Sequence, residues 1–557
     1  MKMGRIAAAV AASIALLALA GRPASAAAAR QDAQSVGASI YRQGVLSSGQ
    51  PLQAVREPGD LKSTGADAAC VNCHHRSGLG VTEGHVSIPP IAGRYLFHPL
   101  VQHHDDHDLP YVEGARGQRA PYSDETLARA IREGVDAQGK PLGYLMPRFA
   151  LNDSDMSALI AYLKDLDPDQ VPGVTDSVLH FATIITPDAD PIRKRGMLDV
   201  LKQYFDEKNT RVLRTTPPLY SSANTMYAKT MHMVNRRWQL HVWELTGPAG
   251  TWSAQLSAHL AQEPVLAVIS GLGGSNWQPV HEFCEREELP CLFPNVEVPV
   301  VDDKDFYALY LTKGVLLEAD LIAGSIADVD GASRIKSVRQ IYRAGDSGEA
   351  AARELTARLR DKGIAVHNEV LEVGKKGDRA LVKATRADTS SSVDALVLWL
   401  RPTDIAALGD ASGAPQQVYL SGLMGGLDRV PLPSGWRARA HMAYPIDLPD
   451  NRLVRVDYQL GWFTIRHIPI VAEKVQVDTY LACGLLAETL SHMVDTFQRD
   501  YLVERTEEML EHRIMTGYYP RLSMAEGQRF ASKGGYVVQF KGDSGAHLVA
   551  NGDWTIP

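Results

Sequence analysis

Two cysteines three positions apart with a histidine directly behind them, Cys70-Val71-Asn72-Cys73-His74, constrain this chain more than any other stretch. A C-x-x-C pair serves as a redox dithiol, as half of a zinc site, or as two nucleophiles that add to the vinyl groups of one haem. A zinc site needs a second ligand pair, and the chain has no other C-x-x-C. A redox dithiol sits at a strand-to-helix junction of a βαβ unit, which the flanking residues do not resemble. The reading that fits is covalent attachment of one haem c through Cys70 and Cys73. His74 is then placed under the iron as an axial ligand.

The chain before this motif agrees on the compartment. Lys2 and Arg5 make a positive start, Ile6 to Ala20 is an apolar run, and Ala24-Ser25-Ala26 is a small-residue cleavage pattern. Residues 1–26 therefore read as a signal peptide; an uncleaved anchor would call for a longer run. No later segment has the length of a membrane span, so the mature protein is expected to be soluble in the periplasm of a Gram-negative bacterium. Covalent haem attachment takes place outside the cytoplasm in such organisms. The 557 residues predict more than one domain, and a net charge of -8 gives no reason to expect nucleic acid as a partner.

Residues 27–36 are Ala- and Gln-rich and read as disordered, and Gly37 to Gly44 as a short helix with a glycine stop. A helix is expected from Ser123, its N-cap, to Glu133, with Gly134 as C-cap. Another runs from near Asn152 to Leu166, with Met156, Leu159, Ile160 and Leu163 on one face. That spacing assigns Met156 to the core. Met146 lies in an irregular loop held by Pro147, where its sulphur can reach the sixth iron position. His75 and His85 are the next candidates for that position.

This part resembles a class I cytochrome c, and specifically the modules attached to periplasmic dehydrogenases. The resemblance rests on C-V-N-C-H-H-R-S-G-L-G, I-P-P-I-A-G, S-D-E-T-L-A-R-A-I-R-E-G-V-D-A-Q-G-K-P-L and L-M-P-R-F-A-L-N-D-S-D-M-S-A-L-I-A-Y-L. It implies an all-α wrap over residues 35–166 around one haem, with His74 and Met146 as axial ligands. Iron held from both sides has no open position, so electron transfer is expected and haem-enzyme activity is not. His98, His103, His104 and His107, with Asp105, Asp106 and Asp108, form a cluster open to two readings, a metal site or a solvated loop.

Residues 167–176 carry prolines, a glycine and acidic groups and read as a linker. Beyond it, strands and helices alternate. Strands are expected at Leu179–Ile185, Gln239–Leu245, Val265–Ser270 and Pro290–Pro294, then at Ile335–Tyr342, Ile364–Val370, Asp394–Leu400 and Gln417–Leu420. Asp190 caps a helix with Pro191 in its first turn, and Met197, Leu198, Leu201 and Phe205 mark its buried face. Two such series argue two lobes, each a mostly parallel sheet with helices on both sides.

Residues 177–557 resemble the type I periplasmic solute-binding proteins, the branched-chain amino acid receptor group, at the level of pattern. The matching stretches are V-L-A-V-I-S-G-L-G-G-S-N from Val265, L-P-C-L-F-P-N from Leu289, R-A-G-D-S-G from Arg343 and D-A-L-V-L-W-L from Asp394. The fold class expected is thus multidomain: an all-α cytochrome c domain, then a two-lobed α/β periplasmic-binding-protein-like domain. Ligands of open α/β sheets bind beyond the carboxyl ends of strands. Those ends carry Thr186 and Asp188, then Gly274, Ser275 and Asn276, then Asn295 and Glu297. Backbone N–H groups and hydroxyls at helix starts suit a carboxylate there, and helix capping is the competing role. The segment Lys208 to Arg237 departs from the family pattern, and no amino-acid recognition pattern surrounds Glu297, so the ligand does not carry over.

Cys284 and Cys291 are close in sequence, and an oxidising compartment makes a disulfide between them an expectation. Cys483, in a helical apolar run, reads as a small buried hydrophobe. Two functions follow. One is a mono-haem electron carrier whose second domain binds a small organic solute or docks a periplasmic redox partner, such as a quinoprotein-type dehydrogenase. The other is a solute receptor of an ABC-type uptake or signalling system with an accessory cytochrome.

Overall fold

A computed structural model describes residues 22–56, 59–83, 86–98, 120–166, 170–214, 236–302, 304–329, 331, 334–372, 381, 384–385, 393–493, 496–525, 527–541 and 547–557. The chain forms two compact units. One runs to Val171 and takes in Met493–Tyr501; the other comprises Pro172–His492 and Leu502–Pro557. The boundary falls inside the expected linker. The short stretch from Met493 belongs with the first unit, which no local sequence signal announced.

The first unit is built on α1 (Arg22–Gln43), α2 (Val71–His74), α3 (Gly93–Phe97), α4 (Asp124–Glu133) and α5 (Asp153–Asp165). Residues 27–36 are helical, not disordered: their alanines are the strongest helix formers, and α1 carries them as one element. The expected caps are in place. The Ser123 hydroxyl accepts from the Thr126 N–H, Gly134 ends α4 in the left-handed region, and the Asn152 side chain accepts from the Asp155 N–H. Met156 is buried beside Leu159 and Leu163 as expected. The expected all-α character holds only in part. Strands β1 (Gln53–Arg56), β2 (Leu61–Thr64) and β5 (Arg148–Phe149) form a small antiparallel sheet, and β3 (Val81–Glu83) and β4 (Val86–Ile88) a hairpin.

One turn occurs twice. Gly44-Val45 to Pro51-Leu52 and Gly134-Val135 to Pro141-Leu142 share the pattern G-V-x-x-x-G-x-P-L. Both glycines end a helix at positive φ, both valines bridge to the proline, and Leu52 and Leu142 each donate N–H to the glycine carbonyl at 2.8 Å. One local pattern dictates one geometry in both places.

The second unit has two sheets. The first runs β16-β10-β9-β8-β6-β7, with β6 (Val178–Ile185), β7 (Arg237–Glu244), β8 (Ala267–Ile269), β9 (Cys291–Leu292), β10 (Ala308–Thr312) and β16 (Phe530–Ser532), all parallel. The second runs β12-β11-β13-β14-β15-β17-β18, with β11 (Ser337–Arg343), β12 (Ala365–Leu371), β13 (Ala395–Trp399), β14 (Gln417–Ser421), β15 (Ala440–Tyr444), β17 (Tyr536–Lys541) and β18 (His547–Ala550). Its first five strands are parallel and its last two antiparallel. Helices α6 (Pro191–Arg214), α7 (Trp252–Gln262) and α8 (Gln278–Arg286) serve the first lobe; α9 (Val315–Ala327) and α10 (Ser347–Asp361) serve the second. Helices α11 (Pro449–Ile465) and α12 (Glu473–Met493) return to the first: Trp462 donates to Glu207, and Thr479 meets Ser270.

The chain thus crosses between lobes three times: from β10 to α9, from β15 to α11, and from β16 to β17. Glycine lets these strands crowd. Gly314 sits at φ 58, and a Cβ on it would lie 2.2 Å from the Glu297 carbonyl oxygen. A Cβ on Gly535, in the third crossing, would lie 2.8 Å from Pro445 Cα in the second.

Candidate functional site

In the first unit, Cys70 caps α2, and Cys73 and His74 lie on its single turn. A spacing of three brings both thiols to one side of that turn. His74 is buried, and its Nδ1 lies 3.0 Å from the Pro89 carbonyl oxygen. A carbonyl only accepts, so Nδ1 carries the proton and Nε2 keeps its lone pair for a metal. Burial pulls the imidazole pKa down to about 4 against the opposing Pro89 bond, so it is neutral at ordinary pH. The turn is closed by Gly80, whose N–H donates to the His74 carbonyl at 3.2 Å. A Cβ on Gly80 would lie 2.0 Å from the Ile88 carbonyl oxygen, which explains the glycine.

Above α2 lies a chamber of about 540 Å³ lined by Leu127, Ile131, Phe149, Leu159 and Leu163, with Cys70, Cys73 and His74 on its wall. Met146 lines it too. Its loop is tied down by Arg148, which donates to the Met146 carbonyl at 2.6 Å and passes so close over Gly134 that a Cβ there would meet the guanidinium. Arg56 also borders the chamber, and its Nε is buried with no hydrogen-bond partner among the described residues. The size, the apolar lining, two thiols, one imidazole with its Nε2 lone pair available and a buried, unpartnered Nε–H of Arg56 suited to an acidic rim all fit a covalently held haem. His75 does not line the chamber: its φ of 59 ends α2, and its carbonyl accepts from the Tyr41 hydroxyl at 2.7 Å. His85 and the expected cluster from His103 to Asp108 lie outside the described residues; His98 directly follows α3.

In the second unit, the strand ends bring the expected residues into two groups. Thr186 donates to Asp188 Oδ1 at 2.5 Å and accepts from the Gly274 N–H at 3.2 Å. Asp188 Oδ2 accepts from the Ser275 N–H at 3.1 Å, and a Cβ on Gly274 would lie 2.0 Å from it. Of the N–H groups expected to bind a ligand carboxylate, that of Ser275 is thus already turned onto a carboxylate of the chain and that of Gly274 onto a hydroxyl. Asn276 accepts from the Gln278 N–H at 3.1 Å, just ahead of α8. Asn295 is buried and donates to Ser270 and Thr479, so it is a structural tie rather than a ligand group.

Glu297 is the centre of the second group. Arg193 Nη1 donates to it at 2.8 Å, Arg401 Nη1 and Nη2 at 2.9 and 2.7 Å, and the Ser347 hydroxyl at 2.8 Å. Arg401 also binds Asp346, through Nε at 2.9 Å. Glu297 and Arg193 follow strands of the first lobe; Asp346, Ser347 and Arg401 follow strands of the second. Burial pushes the Glu297 carboxyl up, but the Arg401 bonds and charge, then Arg193 and Ser347, overrule it and hold it at about 2. Nearby Glu318, on α9, takes the opposite course. Burial raises it to about 8, because among the described residues its partners are the Ser421 hydroxyl and backbone N–H groups, and Glu297 adds a like charge.

The sequence reading missed Arg193, Ser347 and Arg401. A usable signal was present: Arg401 lies two residues past β13, where the strand-end rule puts a site. The expected disulfide is not formed. Cys284 and Cys291 stand as two buried thiols packed as small apolar groups in the first lobe's core, with Val280, Phe283 and Tyr310. Cys483 is buried as expected. Ser275 and Asn276 border a second chamber, of about 470 Å³, shared with Lys313, Arg353 and Arg358.

Among known proteins, residues 63–167 match the cytochrome c family model. No curated protein matches the chain. An ABC transporter substrate-binding protein from Sphaerobacter thermophilus superposes at 13% identity with a TM-score of 0.50, over 68% of this chain and 98% of that one. A fatty acid ABC transporter substrate-binding protein from Thermomonospora curvata does so at 16% and 0.49, over 70% and 96%. A branched-chain amino acid transporter substrate-binding protein from Streptococcus pneumoniae, solved with isoleucine, does so at 10% and 0.47, over 68% and 100%. The chain is a cytochrome c domain joined to a unit with the fold of type I periplasmic binding proteins.

Proposed function

We propose that this is a periplasmic mono-haem electron carrier, with His74 and Met146 as the axial ligands. One observation carries the reading: a chamber with two thiols and a pre-oriented neutral imidazole on one wall and a tied-down methionine loop on another. The bound haem would supply one-electron chemistry. The chain's part is to attach it, hold Nε2 of His74 toward the iron, exclude water with Leu127, Ile131 and Leu159, and set the potential through a thioether. Iron held by both His74 and Met146 would have no position left for substrate, which supports a carrier rather than an enzyme. The large unit is the recognition module, docking a redox partner such as a periplasmic dehydrogenase or binding a small solute.

A second reading, a solute receptor with an accessory cytochrome, is favoured by the binding-protein fold and by the chamber beside Ser275 and Asn276. Absorbance spectroscopy and haem stoichiometry on purified holoprotein test the carrier reading. One haem per chain and a thioether band in the oxidised protein are expected; a high-spin spectrum would overturn it. A thermal-shift screen with amino acids, short acids, alcohols and aldehydes separates the two readings of the large unit, since a ligand bound only by the folded state raises the melting temperature.

No membrane span is needed for either reading; among the described residues no helix is long and apolar enough to cross a membrane.

A further inference from the structure

The cleft between the lobes contains donors that recognise carboxylates, and the chain fills them itself. Two guanidiniums and a hydroxyl converge on Glu297, and the loop N–H of Ser275 is taken by Asp188. Two unconnected carboxylates doing the same thing at neighbouring strand ends is more than one fortuitous ion pair. The donors to Glu297 come from both lobes: Arg193 from the first, Arg401 and Ser347 from the second. A bidentate guanidinium is a directional carboxylate receptor, and here it is part of what joins the lobes.

We infer that Arg193, Arg401 and Ser347 form a carboxylate-binding site spanning the two lobes, and that Glu297 is its built-in occupant. The lobes are held together by the chain's own carboxylate, and a free carboxylate is excluded from that position. This rests on reading the second unit as a solute-binding fold, and it adds that the closed cleft needs no solute. Glu297 reaches the position from the loop behind β9, whose backbone is pressed against Gly314 in the first crossing, so the occupant is anchored at the hinge itself.

The test is chemical rescue in full-length holoprotein. Glu297→Ala removes the occupant and leaves the receptor. Its melting temperature, followed by tryptophan fluorescence, is expected to fall by roughly 5–10 °C. Acetate or propionate at millimolar concentration should then restore most of the loss, saturably, while chloride at equal ionic strength does not. Wild type should show no saturable response to acetate. Failure of acetate to rescue a folded Glu297→Ala protein, or an equal acetate response in wild type, would overturn the inference. Should Glu297→Ala not fold, Glu297→Gln keeps the volume and loses the charge. Hydrogen exchange in the first turn of α10, at Ser347 to Ala350, is expected to speed up at least tenfold, and unchanged exchange would count against the latch. A redox or haem result contrary to the carrier reading would leave these outcomes untouched. A solute that binds wild type tightly with Glu297 in place would keep the binding reading while locating the ligand elsewhere.

Discussion

The haem chamber and the cleft between the lobes are opposite solutions to the same problem of what to do with a concave site. The chamber is apolar; His74 presents there an Nε2 lone pair rather than a proton, and the Nε–H donor of Arg56 finds no partner among the described residues. The cleft is polar, and its strongest donors are satisfied by Glu297, Asp346 and Asp188. A site whose donors remain unmatched needs a cofactor to be complete; one whose donors are matched internally is stable without one. The first unit therefore depends on what it binds far more than the second does.

The largest effect that would test this contrast is on the chamber. Cys70→Ala with Cys73→Ala is expected to abolish covalent haem, read as loss of the haem-stained band on a denaturing gel. His74→Gly should leave attachment sites but lose low-spin iron. If the double cysteine variant still carried covalent haem, another attachment site would have to exist. Met146→Ala comes next. It is expected to keep covalent haem, lose the thioether band and lower the reduction potential, since thioether ligation favours ferrous iron. Spectroelectrochemical titration checks this, and an unchanged band would move the sixth ligand elsewhere.

For the cleft, acid is the probe. Glu297 is held at about 2 against an ordinary 4.5, so its charge is favoured in the folded state. Its contribution is fully present above 4.5 and is lost as pH falls from there toward 2. The shift corresponds to about 3 kcal/mol. Urea unfolding of the second unit between pH 6 and pH 3 should show this loss in wild type, and Glu297→Gln should flatten it. Equal slopes in the two proteins would mean that the ion pairs across the cleft contribute little.

How much of this was legible follows the range of the interactions. The helix caps at Ser123 and Asn152, the glycine stops and the haem motif are local, and residues two to four apart specify them. Eight strands of the two lobes were readable as apolar runs between helices, but not their order in the two sheets. The cluster around Glu297 was legible only at Glu297 itself, through the strand-end rule; Arg193, Ser347 and Arg401 come to it from both lobes, and each alone looks like an ordinary charged or polar surface residue. Asp188 was found at the strand end, where its carboxylate accepts the Ser275 N–H that was expected to meet a ligand. The last two strands of the second sheet come from the chain's end, and β17 pairs with β15 antiparallel, which no local pattern foretells.

Cys284 and Cys291 mark the smallest expected effect and the clearest failure of sequence spacing as a guide. Proximity in sequence and an oxidising compartment argued for a bridge, yet Cys284 sits on the inner face of α8 and Cys291 on β9, each packed in the same apolar core. Packing alone accounts for both residues, since a cysteine thiol behaves as a small apolar group. A bridge closing this short loop would be worth roughly 2–3 kcal/mol, so its reduction would be visible in the melting temperature. Dithiothreitol is expected to leave the second unit's unfolding unchanged, and thiol titration under denaturing conditions should count both cysteines. A fall of several degrees on reduction would restore the bridge and show the second unit to depend on a covalent staple as the first depends on its haem.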